Sequence, residues 1–164
     1  MNEILFQPIG LIHSPYTEAK GTPLQARAAK GVRGAVELYE PFMAGLKYLE
    51  GFERLWLLYY FHKAPPSRLM VTPLLDSEER GVFATRAPTR PNPIGMTPVK
   101  LINIEGRLLN VEGIDVLDGT PLLDIKPYFP LFDCFKTSRN GWLDGSEVAN
   151  RLENGVVMDD RFSR

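Results

Sequence analysis

The sequence predicts a mostly β domain built from antiparallel strands with short helices, and three observations carry that expectation. Short strand-like runs recur along the chain with glycine and proline at their corners. These runs do not alternate with long helical stretches, and no G-x-G-x-x-G turn follows any of them, which argues against a doubly wound, Rossmann-type sheet. With 164 residues, 44% hydrophobic and 24% charged, the chain suits one compact domain, and a closed barrel would spare its strands exposed edges.

Taken in order, residues 6–12 read as a first strand bent near Pro8 and Gly10. Residues 14–34, SPYTEAKGTPLQARAAKGVRG, are polar, basic and without periodicity, a long loop of the kind that often carries function. Residues 34–39 (GAVELY) read as a second strand, and 41–48 as a short helix before the turn at Gly51. The most apolar stretch, LWLLYYF at 55–61, is apolar on both faces and rich in aromatics, which favours a buried strand. It ends at His62, and Ala64, Pro65 and Pro66 turn the chain. Residues 69–72 suit a short strand ahead of an acidic turn at 76–79. Residues 99–104 and 108–111 form a hairpin turned at Glu105 and Gly106, 114–117 add a strand ended by Asp118-Gly119, and 122–126 follow until Pro127 stops them. Ser146 suits the cap of a final helix over 147–152, ended by Asn154-Gly155. The expected division is a barrel domain at residues 1–135 and a C-terminal extension with a short helix at 136–164.

A net charge of −1 means that nucleic acid is not held by overall positive charge. The positive charge is local. Lys20, Arg27, Lys30 and Arg33 lie within residues 19–35 with no acidic residue among them, so that segment is either a solvated face or the RNA contact. No apolar run reaches the length of a membrane span and the N-terminus does not read as a signal peptide, so a cytoplasmic protein without membrane contact is expected. Cys134 has no cysteine to pair with, and with His13 and His62 the only histidines no metal site is expected.

The most informative stretch is residues 81–99, GVFATRAPTRPNPIGMTPV. Pro88, Pro91, Pro93 and Pro98 each remove a backbone donor and push the residue before them towards extended backbone, so the stretch reads as a stiff loop without regular structure, Gly95 allowing it a turn. A stiff loop loses little entropy on binding. Arg86, Arg90 and Asn92 are then presented in set directions, and two guanidinium forks beside a rigid turn suit a carboxylate or a phosphate.

FATRAPTRPNPIG, with DVLDGTPLLDIKPYFP further on, resembles the paired signature of the YaeB/TrmO-type (TsaA-like) family of S-adenosylmethionine-dependent tRNA methyltransferases. Weaker similarity runs from PIGLIHSPY through GFERLWLLYYFH, so the resemblance covers residues 6–133 and is to a short form, with residues 134–164 beyond it. It implies a single-sheeted β-barrel working as a homodimer, with S-adenosylmethionine as cofactor and tRNA near its anticodon as partner. The implied methyl acceptor is the exocyclic N6 of threonylcarbamoyladenosine. A sensor that binds S-adenosylmethionine without transferring its methyl group, or a methyltransferase with another acceptor, is the competing expectation.

Residue by residue, the resemblance implies cofactor contacts at Gln25, Ala26 and Arg27, in a loop where Leu24 stands in place of the family's arginine. It also implies contacts at His62 and Lys63 after the aromatic strand, at Arg86 and Met96 flanking the rigid loop, and at Asp118, Gly119, Thr120 and Pro121 in the second signature. Arg90, Asn92, Lys30 and Arg33 are the expected substrate contacts. An amide-like nitrogen is a poor nucleophile until its proton leaves, so the site needs a base. Asp118 is the first candidate, followed by Tyr128 and Asp124, although Lys126 is spaced to pair with Asp124 instead. Tyr128 and Phe129 suit either base stacking or core packing.

Overall fold

The computed structural model describes residues 4–73 and 76–144. Its main strands are β1 (Gly10–His13), β2 (Arg33–Leu38), β3 (Arg54–Tyr60), β6 (Ile94–Glu105), β7 (Leu108–Glu112) and β8 (Thr120–Pro127). Two further strands, β4 (Met70–Val71) and β5 (Arg80–Gly81), pair only with each other. The six main strands close into one antiparallel barrel in the order β1-β2-β7-β6-β3-β8, and β8 returns to β1. The helical segments are short, the longest being seven residues. They are 3₁₀ at Ala26–Ala29, Glu40–Leu46, Leu49–Gly51, Val82–Ala84 and Gly141–Leu143, and α-helical only in α1 (Pro130–Asp133).

Period-two alternation builds the interior. Leu55, Leu57 and Tyr59 of β3 point inward, as do Val99 and Leu101 of β6, Leu109 and Val111 of β7, and Leu122 of β8. Burying each such side chain contributes about 1.5–3 kcal/mol. The outer side of β3 is not buried as its apolar sequence suggested: Trp56 and Leu58 are half-buried, and Tyr60 is 44% exposed.

Four expected elements differ. The first strand begins at Gly10, not Phe6, because Pro8 has no amide to donate; Ile9 N–H does reach the Leu122 carbonyl, while Phe6 stays exposed. The turn region at 41–48 is 3₁₀ and interrupted. The proline-rich stretch is not wholly irregular: it opens with a 3₁₀ turn, and β6 enters it from Ile94, five residues earlier than expected, running through Pro98. Leu101 N–H points at Glu53 on the β3 side, so by alternation the nitrogen of Pro98 faces the other way. Pairing with β7 starts only at Lys100, so Pro98 lies where its missing N–H breaks no ladder. Finally, residues 114–117 are not a strand. Ile114 and Val116 are buried as alternation demands, but they plug the end of the barrel without pairing. The helix expected over 147–152 lies outside the described residues.

Gly95 sits in β6, not in a turn. A Cβ there would run into the ring of Tyr59 and approach Phe61 Cζ to 2.8 Å, so glycine is required by two aromatic rings lying on its backbone. Gly95→Ala is expected to lower stability by about 1–3 kcal/mol, the range for overpacking a filled core. Urea unfolding measures it through a lower midpoint at unchanged slope.

Candidate functional site

One rim of the barrel gathers the loops. His13 faces Ala35, Ile12 faces Thr120, Arg33 faces Glu112 and Tyr60 faces Ile94, so the loops at 14–32, 61–93 and 113–119 all leave from that rim. Barrel closure therefore brings three distant stretches of sequence to one mouth.

Within the mouth, Arg86 Nη1 donates to Gln25 Oε1 at 2.7 Å and joins the stiff loop to the basic loop. Arg90 turns back onto its own loop. Its Nη1 is 2.8 Å from the Thr85 carbonyl, 3.2 Å from that of Val82 and 3.3 Å from that of Ala87, so this cation braces the loop that carries Arg86. Lys63 Nζ reaches the Thr17 carbonyl at 3.0 Å. Beside it, His62 Nδ1 lies 3.2 Å from Thr120 Oγ1, which donates to the Leu117 carbonyl at 2.7 Å. Burial, and then the charge of Lys63, holds the His62 pKa below its ordinary value. Asp118 Oδ1 accepts the Ser14 amide at 3.1 Å and lies 3.5 Å from His13 Nδ1, while Gly119, at φ +72°, sends its amide to Ile12. Thus the second signature fastens to β1 as well as lining the mouth.

Sequence reasoning missed Asp115. It descends between the buried Ile114 and Val116 into the barrel end, and its Oδ1 is buried without a hydrogen-bond partner. Burial pushes its pKa up to about 6, against the opposing influence of Thr97 first and Arg86 after it. Thr97 Oγ1 is likewise buried and lacks a partner in hydrogen-bond geometry, so it lies close enough to Asp115 to affect it without a well-formed bond. Tyr59 and Tyr16 both have their hydroxyl pKa raised, by burial first and Asp115 second. The signal available was a carboxylate between two apolar residues in IDVL, hidden by the reading of that run as a strand.

Other expected residues lie elsewhere. Tyr128 follows the far end of β8, roughly 26 Å along the strand from Thr120, and packs on Trp56 with ring centroids 5.6 Å apart. It cannot share a reacting centre with Asp118 in one protomer. Asp124 is on the outer wall opposite Leu58, its Oδ2 2.7 Å from Lys126 Nζ, so the ion pair and not a free base is what the structure has. Phe129 stands exposed beside Phe132 at that far end. Met96 is also on the outer wall, 52% exposed, and Pro121 pairs with Leu11. Ala26 and Arg27 lie in the 3₁₀ turn that follows Gln25, and Arg27, Lys30, Arg33 and Asn92 are exposed around the mouth.

Residues 11–134 match the sequence profile of the tRNA-methyltransferase O N-terminal domain. The chain belongs to that family. It is 51% identical over 159 residues to a probable S-adenosyl-L-methionine-binding protein of Pyrococcus abyssi, covering 97% of this chain and 85% of that one. It is 39% identical to the tRNA (adenine(37)-N6)-methyltransferase of Escherichia coli, over 91% of this chain and 68% of that enzyme. The crystal structure of TrmO from Pseudomonas aeruginosa superposes with a TM-score of 0.73 at 41% identity, over 87% of this chain and 64% of that one. The barrel is thus the fold of the family, and this chain spans somewhat less than two thirds of that solved relative.

The raised pKa of Asp115 has a consequence for stability. Between about 3.8, its ordinary value, and about 6, the folded chain keeps a proton that the unfolded chain has released, so stability falls as pH rises through that window. By neutral pH the buried charge weighs about 3 kcal/mol against the fold. Asp115→Asn removes the titration, and its stability relative to the unsubstituted protein should improve by about 2–3 kcal/mol between pH 4 and pH 7.5. Urea unfolding of both proteins at the two pH values tests this; a constant difference would mean that Asp115 is solvated.

Proposed function

We propose that this chain is an S-adenosylmethionine-dependent methyltransferase acting on N6 of threonylcarbamoyladenosine beside the anticodon of tRNA. The observation that carries the reading is the pairing of unlike charges at the mouth. Arg86 is an exposed guanidinium on a braced loop, and within its electrostatic reach lies a buried carboxylate oxygen of Asp115 without a partner. A ligand with a carboxylate and a cationic centre, as S-adenosylmethionine has, complements that pair. When bound, the cofactor supplies a methyl group on a sulfonium.

In this reading Arg86 and Gln25 hold the carboxylate end, with Ala26 and Arg27 beside them. His62, Lys63 and the Asp118-Gly119-Thr120-Pro121 turn enclose the rest, and Met96 makes an outer contact. Asp118 orders the turn through Ser14 and His13. Lys30, Arg33 and Asn92 meet the tRNA backbone. Arg90 acts on the substrate side through the loop it braces. Residues 1–135 form the barrel domain, and the extension from 136 touches the site loop where Trp142 Nε1 donates to the Ala84 carbonyl at 2.8 Å. The protein works in the cytoplasm as a homodimer, with Tyr60, Ile94 and Met96 on the outer wall as the apolar surface available to a second copy. The name of the Pyrococcus relative stops at cofactor binding, which supports a sensor as the second reading. Cofactor binding without transfer to tRNA lacking this modification would favour that reading.

Arg86→Ala should weaken S-adenosylmethionine binding about 10- to 100-fold in calorimetry, the loss of one charge-assisted hydrogen bond. Unchanged affinity would remove Arg86 from the site. Reversing the charges of Lys30 and Arg33 together should make tRNA binding less sensitive to salt, flattening the plot of log affinity against log salt. A slope identical to that of the unsubstituted protein would leave those residues as a solvated face.

A further inference from the structure

We infer that His62, through Nε2, is the group that takes the proton from the attacking nitrogen, with Thr120 and the Leu117 carbonyl setting its tautomer. The inference rests on the methyl-transfer reading above and adds to it the identity of the base. Thr120 has one hydroxyl proton, and the 2.7 Å contact to the Leu117 carbonyl uses it. A hydroxyl that donates there can only accept at the 3.2 Å contact with His62 Nδ1. Nδ1 therefore carries the ring proton, and the lone pair is on Nε2. Among the described residues no group bonds to Nε2. The charged group acting on the ring is Lys63, from the same turn, whose Nζ is turned to the Thr17 carbonyl; the β8 side offers only the uncharged Thr120 and the Leu117 carbonyl. Burial and Lys63 both disfavour the imidazolium, so at neutral pH the ring is in the form that accepts a proton.

The competing carboxylates are less suited. Asp118 Oδ1 is engaged by the Ser14 amide, and Asp124 is paired with Lys126 on the outer wall. Asp115 has its Oδ1 buried, between the core residues Ile114 and Val116. His62 stands at the end of β3, on the rim where the loops meet. In the transfer, the acceptor nitrogen forms its bond to the methyl carbon as the carbon–sulfur pair leaves on sulfur. The proton from nitrogen goes to Nε2, and the resulting imidazolium returns it to solvent. Thr120 is a positioning residue in this scheme, acting through the ring.

Two measurements test the assignment. Long-range proton–nitrogen NMR of the uniformly labelled full chain reads the tautomer without substrate, and with two histidines in the sequence the spectrum is simple. His62 is expected with the proton on Nδ1; a proton on Nε2 overturns the inference whatever the activity. His62→Asn keeps a donor towards Thr120 and lacks the basic nitrogen. At saturating S-adenosylmethionine it should lose about 100- to 10,000-fold in turnover on tRNA lacking the modification, well beyond the loss of cofactor affinity that follows from the ring's place in the mouth. The unsubstituted protein should gain turnover as pH rises through a pKa below the ordinary histidine value and then level off. That limb should be absent from the residual turnover of His62→Asn; a limb of the same midpoint there would overturn the assignment. Equal turnover in His62→Asn, or a loss of cofactor affinity matching the loss of turnover, overturns the base assignment alone. No transfer by the unsubstituted protein overturns the methyltransferase reading and this role with it.

Discussion

Closure of the sheet through β8 is the constraint on which the rest depends. β8 pairs with β1 over its first residues and with β3 over the remainder, its register slipping between Leu58 and Tyr59 of β3 to reach both. Without it, the first and the most apolar of the main strands would be edges, with ladders of unpaired amides. Closure also determines what the chain does with its interior. Six short strands enclose a space that their own inward side chains fill, save at one end, and there Ile114 and Val116 enter from above and take Asp115 with them. The buried carboxylate oxygen of Asp115 is thus a by-product of how the barrel is stoppered.

Most of the fold was legible because period-two patterns dominate it. GAVELY and LWLLYYF each announced a strand and the run around Gly106 a hairpin, and each is found. The misreadings share a cause. Local rules treat proline as a breaker, but whether a missing amide matters depends on which side of a strand has a neighbour, and that is decided by residues far away in sequence. Pro98 is harmless because β7 has not yet begun beside it. Ile114 and Val116 alternate as a strand does, yet alternation reports burial on one side and says nothing about pairing.

The residues singled out in the sequence divide in the structure into neighbours and outliers. Gln25 with Arg86, and His62 with Thr120, were named from separate stretches and prove to be neighbours. Tyr128 and Asp124 belong to the second signature in sequence, yet a strand carries residues away from a rim at about 3.3 Å per step. Arg90 read as a ligand contact because a guanidinium on a loop suits anions; its bonds to three carbonyls of the same loop needed coordinates to see. Asp115 gave the opposite error, a residue passed over because a buried carboxylate looks like an ordinary strand position until its surroundings are known.

The self-bracing of the Arg86 loop also bears on how such a domain can diverge. The bonds from Arg90 Nη1 to the carbonyls of Val82, Thr85 and Ala87 keep the loop's shape within the loop, independent of the basic segment across the mouth apart from the single Gln25 contact. The loop that carries Arg86 is therefore insulated from changes at the exposed cations of the facing segment. Substitutions at Lys30 and Arg33 would change the charge of that segment without rebuilding the loop that carries Arg86.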